Sequence, residues 1–330
     1  MDFSHPALTR RSAAAGLLGL AGATVPLAHA FAQQTAPTTL LAPEDAPTQF
    51  DTGADAYEHM LAPVMVNGQG PFQFLMDTGA NTSCIARDLA ERLMLTATEP
   101  QRVNTIVGAK QRPGVMIDHL QVGERTRRGV RAAALPLTPE IDGVLGIDWL
   151  KGQRLEMGFK TKSLSITRSK FETSRDGLAV VPARRSQGQL TIVDADASGK
   201  RISAMIDSGS QMTLCNGPVR AMVAESVRHS RGDEAYRHVS LQSVIGERFT
   251  GEMINLPFLR LGGLRLGYVP VIYAETHVFD LWGLKDTPAI VLGMDLLTQF
   301  DTVALDFGHA QVSFDLAPVP VLPSTTYKPV

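Results

Sequence analysis

The chain has 330 residues, 44% of them hydrophobic, and a formal net charge of −2. That is enough apolar material for one large or two medium domains. The near-neutral balance gives no electrostatic case for nucleic acid or an anionic membrane as partner. Glycine (29) and proline (20) are plentiful and helical periodicity is scarce, which favours a β-rich chain with many turns.

Residues 1–32 read as an export signal. Arg10-Arg11 supply a positive start, and residues 13–30 form a mildly apolar run rich in Ala, Gly and Leu. Ala28-His29-Ala30 and Ala30-Phe31-Ala32 offer small-x-small cleavage sites. The paired arginines ahead of a weakly hydrophobic stretch resemble a twin-arginine signal, with an ordinary secretory signal as the alternative. Either route predicts a periplasmic or secreted mature protein. No later stretch is uncharged and apolar over the roughly 18 residues that a span requires, so no stable membrane span is expected. Residues 33–55 read as a flexible leader rich in Pro, Thr, Ala and Asp. Within it, Asp51-Thr52-Gly53-Ala54 has no apolar strand ahead of it and reads as a turn or a chance match.

The first structured unit is expected over residues 56–170. A strand at 61–66 leads through Asn67-Gly68-Gln69-Gly70, a tight hairpin turn, into a return strand at 72–76. That strand delivers Asp77-Thr78-Gly79-Ala80. A short amphipathic helix follows at 85–95. Thr105-Ile106-Val107-Gly108 to Pro113-Gly114 reads as a hairpin, and 115–122 and 130–137 as strands. Val144-Leu145-Gly146 comes next, and a hairpin over 155–166 closes the unit.

The same order returns over residues 178–316. Strands at 190–193 and 202–206 deliver Asp207-Ser208-Gly209-Ser210. A helix is expected at 218–227, with Pro218 in its first turn. Ser243-Val244-Ile245-Gly246 begins the hairpin, strands follow at 259–266 and 268–273, and Val291-Leu292-Gly293 precedes a last pair over 303–314. The repeats are 130 residues apart at Asp77 and Asp207 but 147 apart at Gly146 and Gly293, so the second has longer loops around 228–240 and 274–287. Residues 317–330 form a Pro-rich tail. Internal repetition at this length points to two similar β domains facing each other rather than to a solenoid.

Two aspartates at matched strand ends, each with a small hydroxyl residue and a glycine behind it, suit a pair of carboxylates sharing one site. Neighbouring carboxyls cannot both ionise readily, so they hold one proton between them. Asp148 and Asp295 read instead as helix N-caps. Cys84 and Cys215 are either a disulfide of an oxidising compartment or two buried small side chains. The histidines show no metal-ligand spacing, and neither metal nor cofactor is expected. The basic run at 125–131 reads as a solvated hairpin.

On Asp77-Thr78-Gly79 and Asp207-Ser208-Gly209, each with its downstream Val-Leu-Gly, the chain resembles the aspartic peptidases of the pepsin–retropepsin clan across residues 57–316. The resemblance implies a mostly β fold. Two retropepsin-like β-barrel lobes would be related by pseudo-two-fold symmetry, with an active cleft between them. It implies that Asp77 and Asp207 are catalytic, that Thr78 and Ser208 tie the two loops together, and that Gly79 and Gly209 permit their turns. No tyrosine lies near the first hairpin, so the pattern looks like two retropepsin-type flaps, at Val107-Gly108 and Ile245-Gly246. The plain reading of those glycines is an ordinary hairpin turn. The expected partner is a peptide or protein in extended conformation, bound by a monomer that acts as a fused pseudo-dimer. The alternative function is a peptide- or protein-binding module on the same fold that does not cleave.

Overall fold

A computed structural model describes residues 48–54, 59–106, 108–186, 188–228 and 237–316. The export signal, most of the leader, Val107 and the tail at 317–330 lie outside the described residues. In chain order the first half holds β1 (Thr48–Asp51), β2 (Gly53–Ala54), β3 (Met60–Val66), β4 (Gln69–Met76), β5 (Cys84–Ala86), α1 (Arg87–Arg92), β6 (Thr96–Thr105), β7 (Gly108–Val122), β8 (Arg125–Leu135) and β9 (Gly143–Leu145). A 3₁₀ turn at Ile147–Leu150 leads to β10 (Gln153–Gly158) and β11 (Ser163–Arg168). The second half holds β12 (Leu178–Ser186), β13 (Gln189–Ala197), β14 (Lys200–Ile206), β15 (Leu214–Cys215), α2 (Gly217–Arg228), β16 (Arg237–Gln242), β17 (Arg248–Leu261) and β18 (Leu264–Tyr273). It ends with α3 (His277–Leu281), β19 (Ala289–Leu292), α4 (Met294–Leu297), β20 (Thr302–Asp306) and β21 (Gln311–Asp315).

Two barrels close by the same strand order. In the first, β3-β4-β9-β5-β8-β7 runs round and returns to β3; in the second, β13-β14-β19-β15-β18-β17 returns to β13. β6 and β16 extend their barrels as the outer strands of long hairpins with β7 and β17. Closure pairs both sides of every strand within the six-strand rings, leaving β6 and β16 as the outer edges.

One pairing in each barrel sets up the site. β4 runs parallel to β9, with Met76 opposite Leu145, and β14 runs parallel to β19, with Ile206 opposite Leu292. Each aspartate therefore leaves its strand beside the Val-Leu-Gly segment of its own repeat. The Asp77 N–H donates to Leu145 O and the Asp207 N–H to Leu292 O, both at 3.0 Å. β4 and β14 each end in a continuous apolar run because both faces are covered there: Phe74, Leu75, Met76, Ala204, Met205 and Ile206 are all buried.

The closing strands of the two repeats do not stay with their own barrels. They merge into one shared sheet in the order β1-β11-β10-β20-β21-β12, which continues into the second barrel through β13. Leu155 of β10 lies opposite Leu305 of β20, so the first half pairs with the second directly. Leu155, Met157, Val303, Leu305, Val312 and Phe314 line its buried face and join the main core. Each such side chain contributes roughly 1.5–3 kcal/mol on burial.

Two local expectations are corrected. Thr48–Asp51, read as flexible leader, is a strand paired with residues 163–166, with Asp51 opposite Ser163. Its ladder hydrogen bonds, and burial of Thr48, override a polar, proline-flanked sequence. The helix expected over 85–95 is only Arg87–Arg92; Ile85 and Ala86 belong to β5, wedged between β8 and β9, where burial on both faces outweighs helical spacing.

Candidate active site

Asp77 and Asp207 come together. Their carboxyl groups lie within hydrogen-bonding reach of each other and are half-buried. Asp77 Oδ1 accepts the N–H groups of Gly79 at 2.8 Å and Ala80 at 3.0 Å, and Asp207 Oδ1 accepts the Gly209 N–H at 2.9 Å. Burial pushes both carboxyls above the ordinary aspartate range, and the backbone donors pull partly against it. Asp207 is held well above that range, by burial first and by the charge of Asp77 second. Two carboxyls this close favour sharing one proton over ionising together.

The loops carrying the pair are bound crosswise. The Ser208 N–H donates to Thr78 Oγ1 at 3.0 Å, and the Thr78 N–H donates to Ser208 Oγ at 3.1 Å. Each hydroxyl then donates onward to the strand of the opposite repeat, Thr78 Oγ1 to Ile206 O at 2.9 Å and Ser208 Oγ to Met76 O at 2.6 Å. Both residues are fully buried, so each hydroxyl and N–H is satisfied only by its partner loop. Gly79 and Gly209 allow the loops to approach this closely. A Cβ on Gly79 would stand 2.5 Å from Asp207 Oδ2, and one on Gly209 would stand 2.5 Å from Asp77 Oδ2.

A second pair of hydroxyls braces each loop within its own barrel. Ser83 Oγ accepts the Gly146 N–H at 3.3 Å and donates to Asp148 Oδ1 at 3.0 Å. Thr213 Oγ1 accepts the Gly293 N–H at 3.1 Å and donates to Asp295 Oδ1 at 2.7 Å. This corrects the reading of Asp148 and Asp295 as N-caps. The caps are Gly146 and Gly293, without side-chain hydrogen bonds, and each aspartate sits inside its short helix and turns back to the hydroxyl. Sequence reading missed Ser83 and Thr213. Their signal was available: they are 130 residues apart, the spacing of the aspartates themselves.

The two hairpins reach across to the opposite repeat. Ile106 packs on the apolar cluster around Phe279 and Trp282, and Val244 and Ile245 pack on the cluster around Leu75 and Val144. The His277 N–H donates to Ile106 O at 2.8 Å, and the Thr138 N–H donates to Val244 O at 3.1 Å. Lys110 Nζ and Glu247 Oε1, one from each hairpin, form an ion pair at 2.6 Å. Gly108 and Gly246 take left-handed backbone at φ +150° and +79°. Of the flap residues expected, Gly108, Ile245 and Gly246 thus lie on hairpins that span both halves, and Val107 is outside the described residues.

Cys84 and Cys215 are free, buried thiols, each pushed up to about 12 by burial. They pack as small apolar side chains. Among the described residues, no group of three or more His, Cys, Asp or Glu side chains is gathered to hold a metal ion, and no helix is long and apolar enough to cross a membrane.

A search of curated proteins returned no match. The profile described as "Aspartyl protease" matches residues 62–149 and 193–296, one stretch in each barrel. Together the stretches cover more than half of the sequence, and they contain both Asp-Thr/Ser-Gly turns and both Val-Leu-Gly segments. The chain belongs to the aspartyl protease family.

Proposed function

We propose that the protein is an aspartic endopeptidase that activates one water between Asp77 and Asp207. The observation that carries this reading is the pair of half-buried carboxyls brought together on loops that are tied to each other crosswise. A mere binding surface has no need to hold two carboxyls where they must share a proton, since desolvation without pairing costs several kcal/mol.

The chemistry follows from the shared proton. The ionised member takes a proton from the water as it attacks the scissile carbonyl carbon, and the protonated member donates to the carbonyl oxygen. The product of that step is a neutral tetrahedral gem-diol. Its collapse returns a proton to the departing amine and breaks the C–N bond. Each carboxyl changes its protonation state during the cycle, so the pair must be close, coupled and sheltered. The N–H donors of Gly79, Ala80 and Gly209 hold the ionised form in place. The substrate would lie extended beneath the two hairpins, recognised through main-chain hydrogen bonds and alternate side-chain pockets. A single chain supplies both halves of such a site, which supports a monomeric enzyme with one carboxyl from each repeat.

Export is part of the same proposal. Support comes from Arg10-Arg11, the apolar run behind them and the small residues at 28–32. Replacing both arginines by lysine should leave the protein in the cytoplasm on cell fractionation; unchanged export would remove the twin-arginine route.

The functional reading is tested by affinity. A peptide isostere with a tetrahedral hydroxyl in place of the scissile bond should bind at least about 100-fold more tightly than the matched peptide, as transition-state mimics do. That preference should vanish in Asp207→Asn. Equal affinities for isostere and peptide would leave a binding module and contradict catalysis.

A further inference from the structure

Gln189 opens the first strand of the second barrel, and its side chain is 2% exposed. Its side-chain amide reaches into the first barrel. Its Nε2 donates to Gly79 O at 3.1 Å and faces Asn81 Oδ1 at 3.4 Å, both on the first aspartate loop. A carbonyl oxygen can only accept, so the contact with Gly79 O identifies the nitrogen end of the amide. The turn that delivers it is pressed against the first barrel: a Cβ on Gly188 would stand 2.9 Å from Ile147 Cδ1, next to Gly146.

The register gives this position a counterpart. Leu61 pairs with Leu75, and Thr191 pairs with Met205, two residues before each aspartate. His59 and Gln189 stand two residues ahead of those partners, 130 apart like the aspartates. His59 is also buried. Each repeat thus places one buried polar residue at the same register position, two residues ahead of the partner of its aspartate strand. Neither motif spacing nor polarity singled either residue out.

Gly79 is where this matters. Its backbone packs on the Asp207 carboxylate so closely that no side chain fits. The distance between the two carboxyls therefore depends on where Gly79 is held, and from the second barrel Gln189 holds it by its carbonyl. We propose that Gln189 is a positioning residue for the aspartate pair, fixing the first loop from the opposite lobe. The proposal rests on the peptidase reading for its kinetic consequence but not for its structural one.

The kinetic test uses the full chain. Gln189→Leu keeps the bulk and removes the donor. It should lower kcat by about 10- to 100-fold with KM within about threefold, the signature of misplaced reacting groups. Gln189→Glu keeps the shape and gates the donor by pH. Protonated, the new carboxyl can donate to Gly79 O; ionised, it repels that oxygen and the pair beside it. Its activity should fall toward neutral pH more steeply than that of the unaltered protein.

A second readout needs no catalysis. Carbon-13 chemical shifts of the Asp77 and Asp207 carboxyls, followed through a pH titration, report the gap between the two ionisation steps. That gap should narrow in Gln189→Leu, because coupling weakens as the carboxyls separate. An unchanged titration, or a Gln189→Leu variant that loses thermal stability while keeping kcat within twofold, would overturn the proposal. A chain that cleaves nothing but still shows the narrowed gap would sink the peptidase reading alone.

Discussion

Thr78 and Ser208 each satisfy the other's backbone N–H with a hydroxyl, at 3.0 and 3.1 Å, although they are 130 residues apart. Neither residue touches solvent. In Thr78→Val the Ser208 N–H and the Ile206 carbonyl both lose their partner in a buried setting. Each group left so costs about 1–3 kcal/mol. The expected loss from denaturant unfolding is therefore roughly 2–6 kcal/mol for Thr78→Val and similar for Ser208→Ala. The double variant should lose clearly less than the sum, because both substitutions break the same network.

Gly79 and Gly209 make a steric prediction. Alanine at either place puts a methyl group within van der Waals overlap of the opposite carboxylate. Gly209→Ala should lower kcat/KM for any cleaved peptide by at least about 100-fold. Peptide hydrolysis under single-turnover conditions checks it, and near-normal activity would mean that the loops approach differently.

The pair also links stability to pH. Burial holds Asp207 well above its unfolded value of 3.8. Between those two values the folded chain binds more protons than the unfolded chain, so this term favours folding in acid. It is fully present below the unfolded pKa and is lost as pH rises through the folded one. Asp207→Asn removes the ionisation. Its melting temperature relative to the unaltered protein should therefore rise from acid to neutral pH. Scanning calorimetry across that range decides it; a difference that is flat, or falls, contradicts the assignment.

The hairpins are held together partly by charge. Lys110 and Glu247 pair at 2.6 Å with the lysine half exposed, a setting worth at most about 1 kcal/mol. Glu247→Gln should speed amide exchange at Thr138 and His277, whose N–H groups grip the hairpin tips, by up to about fivefold. High salt should produce the same change in the unaltered protein and none in the variant.

Much of this site is legible in the sequence. Asp77 and Asp207 each end an apolar run, and a run buried on both faces reads plainly in sequence. Val144-Leu145-Gly146 and Val291-Leu292-Gly293 were visible because the repeat displays them twice. What stayed hidden depends on contacts between the halves. Nothing local says that residues 153–158 pair with 302–306, so the closing hairpins read as parts of separate units. Asp148 and Asp295 carry N-cap letters, but the parallel strand ahead of each helix puts a glycine at the cap and turns the aspartate to Ser83 or Thr213. Thr48–Asp51 lacks any strand pattern of its own and is ordered by the ladder it joins.

If Asp77 and Asp207 act as one unit on a peptide bond, neither can be spared. The most direct measurement is hydrolysis of a peptide mixture by the unaltered chain, Asp77→Asn, Asp207→Asn and the double variant, from acid to neutral pH. The unaltered chain should cleave, and either single variant should lose several orders of magnitude in rate. The double variant should be no worse than either single one, as groups acting together require. Cleavage that survives in either single variant would contradict joint action by the pair.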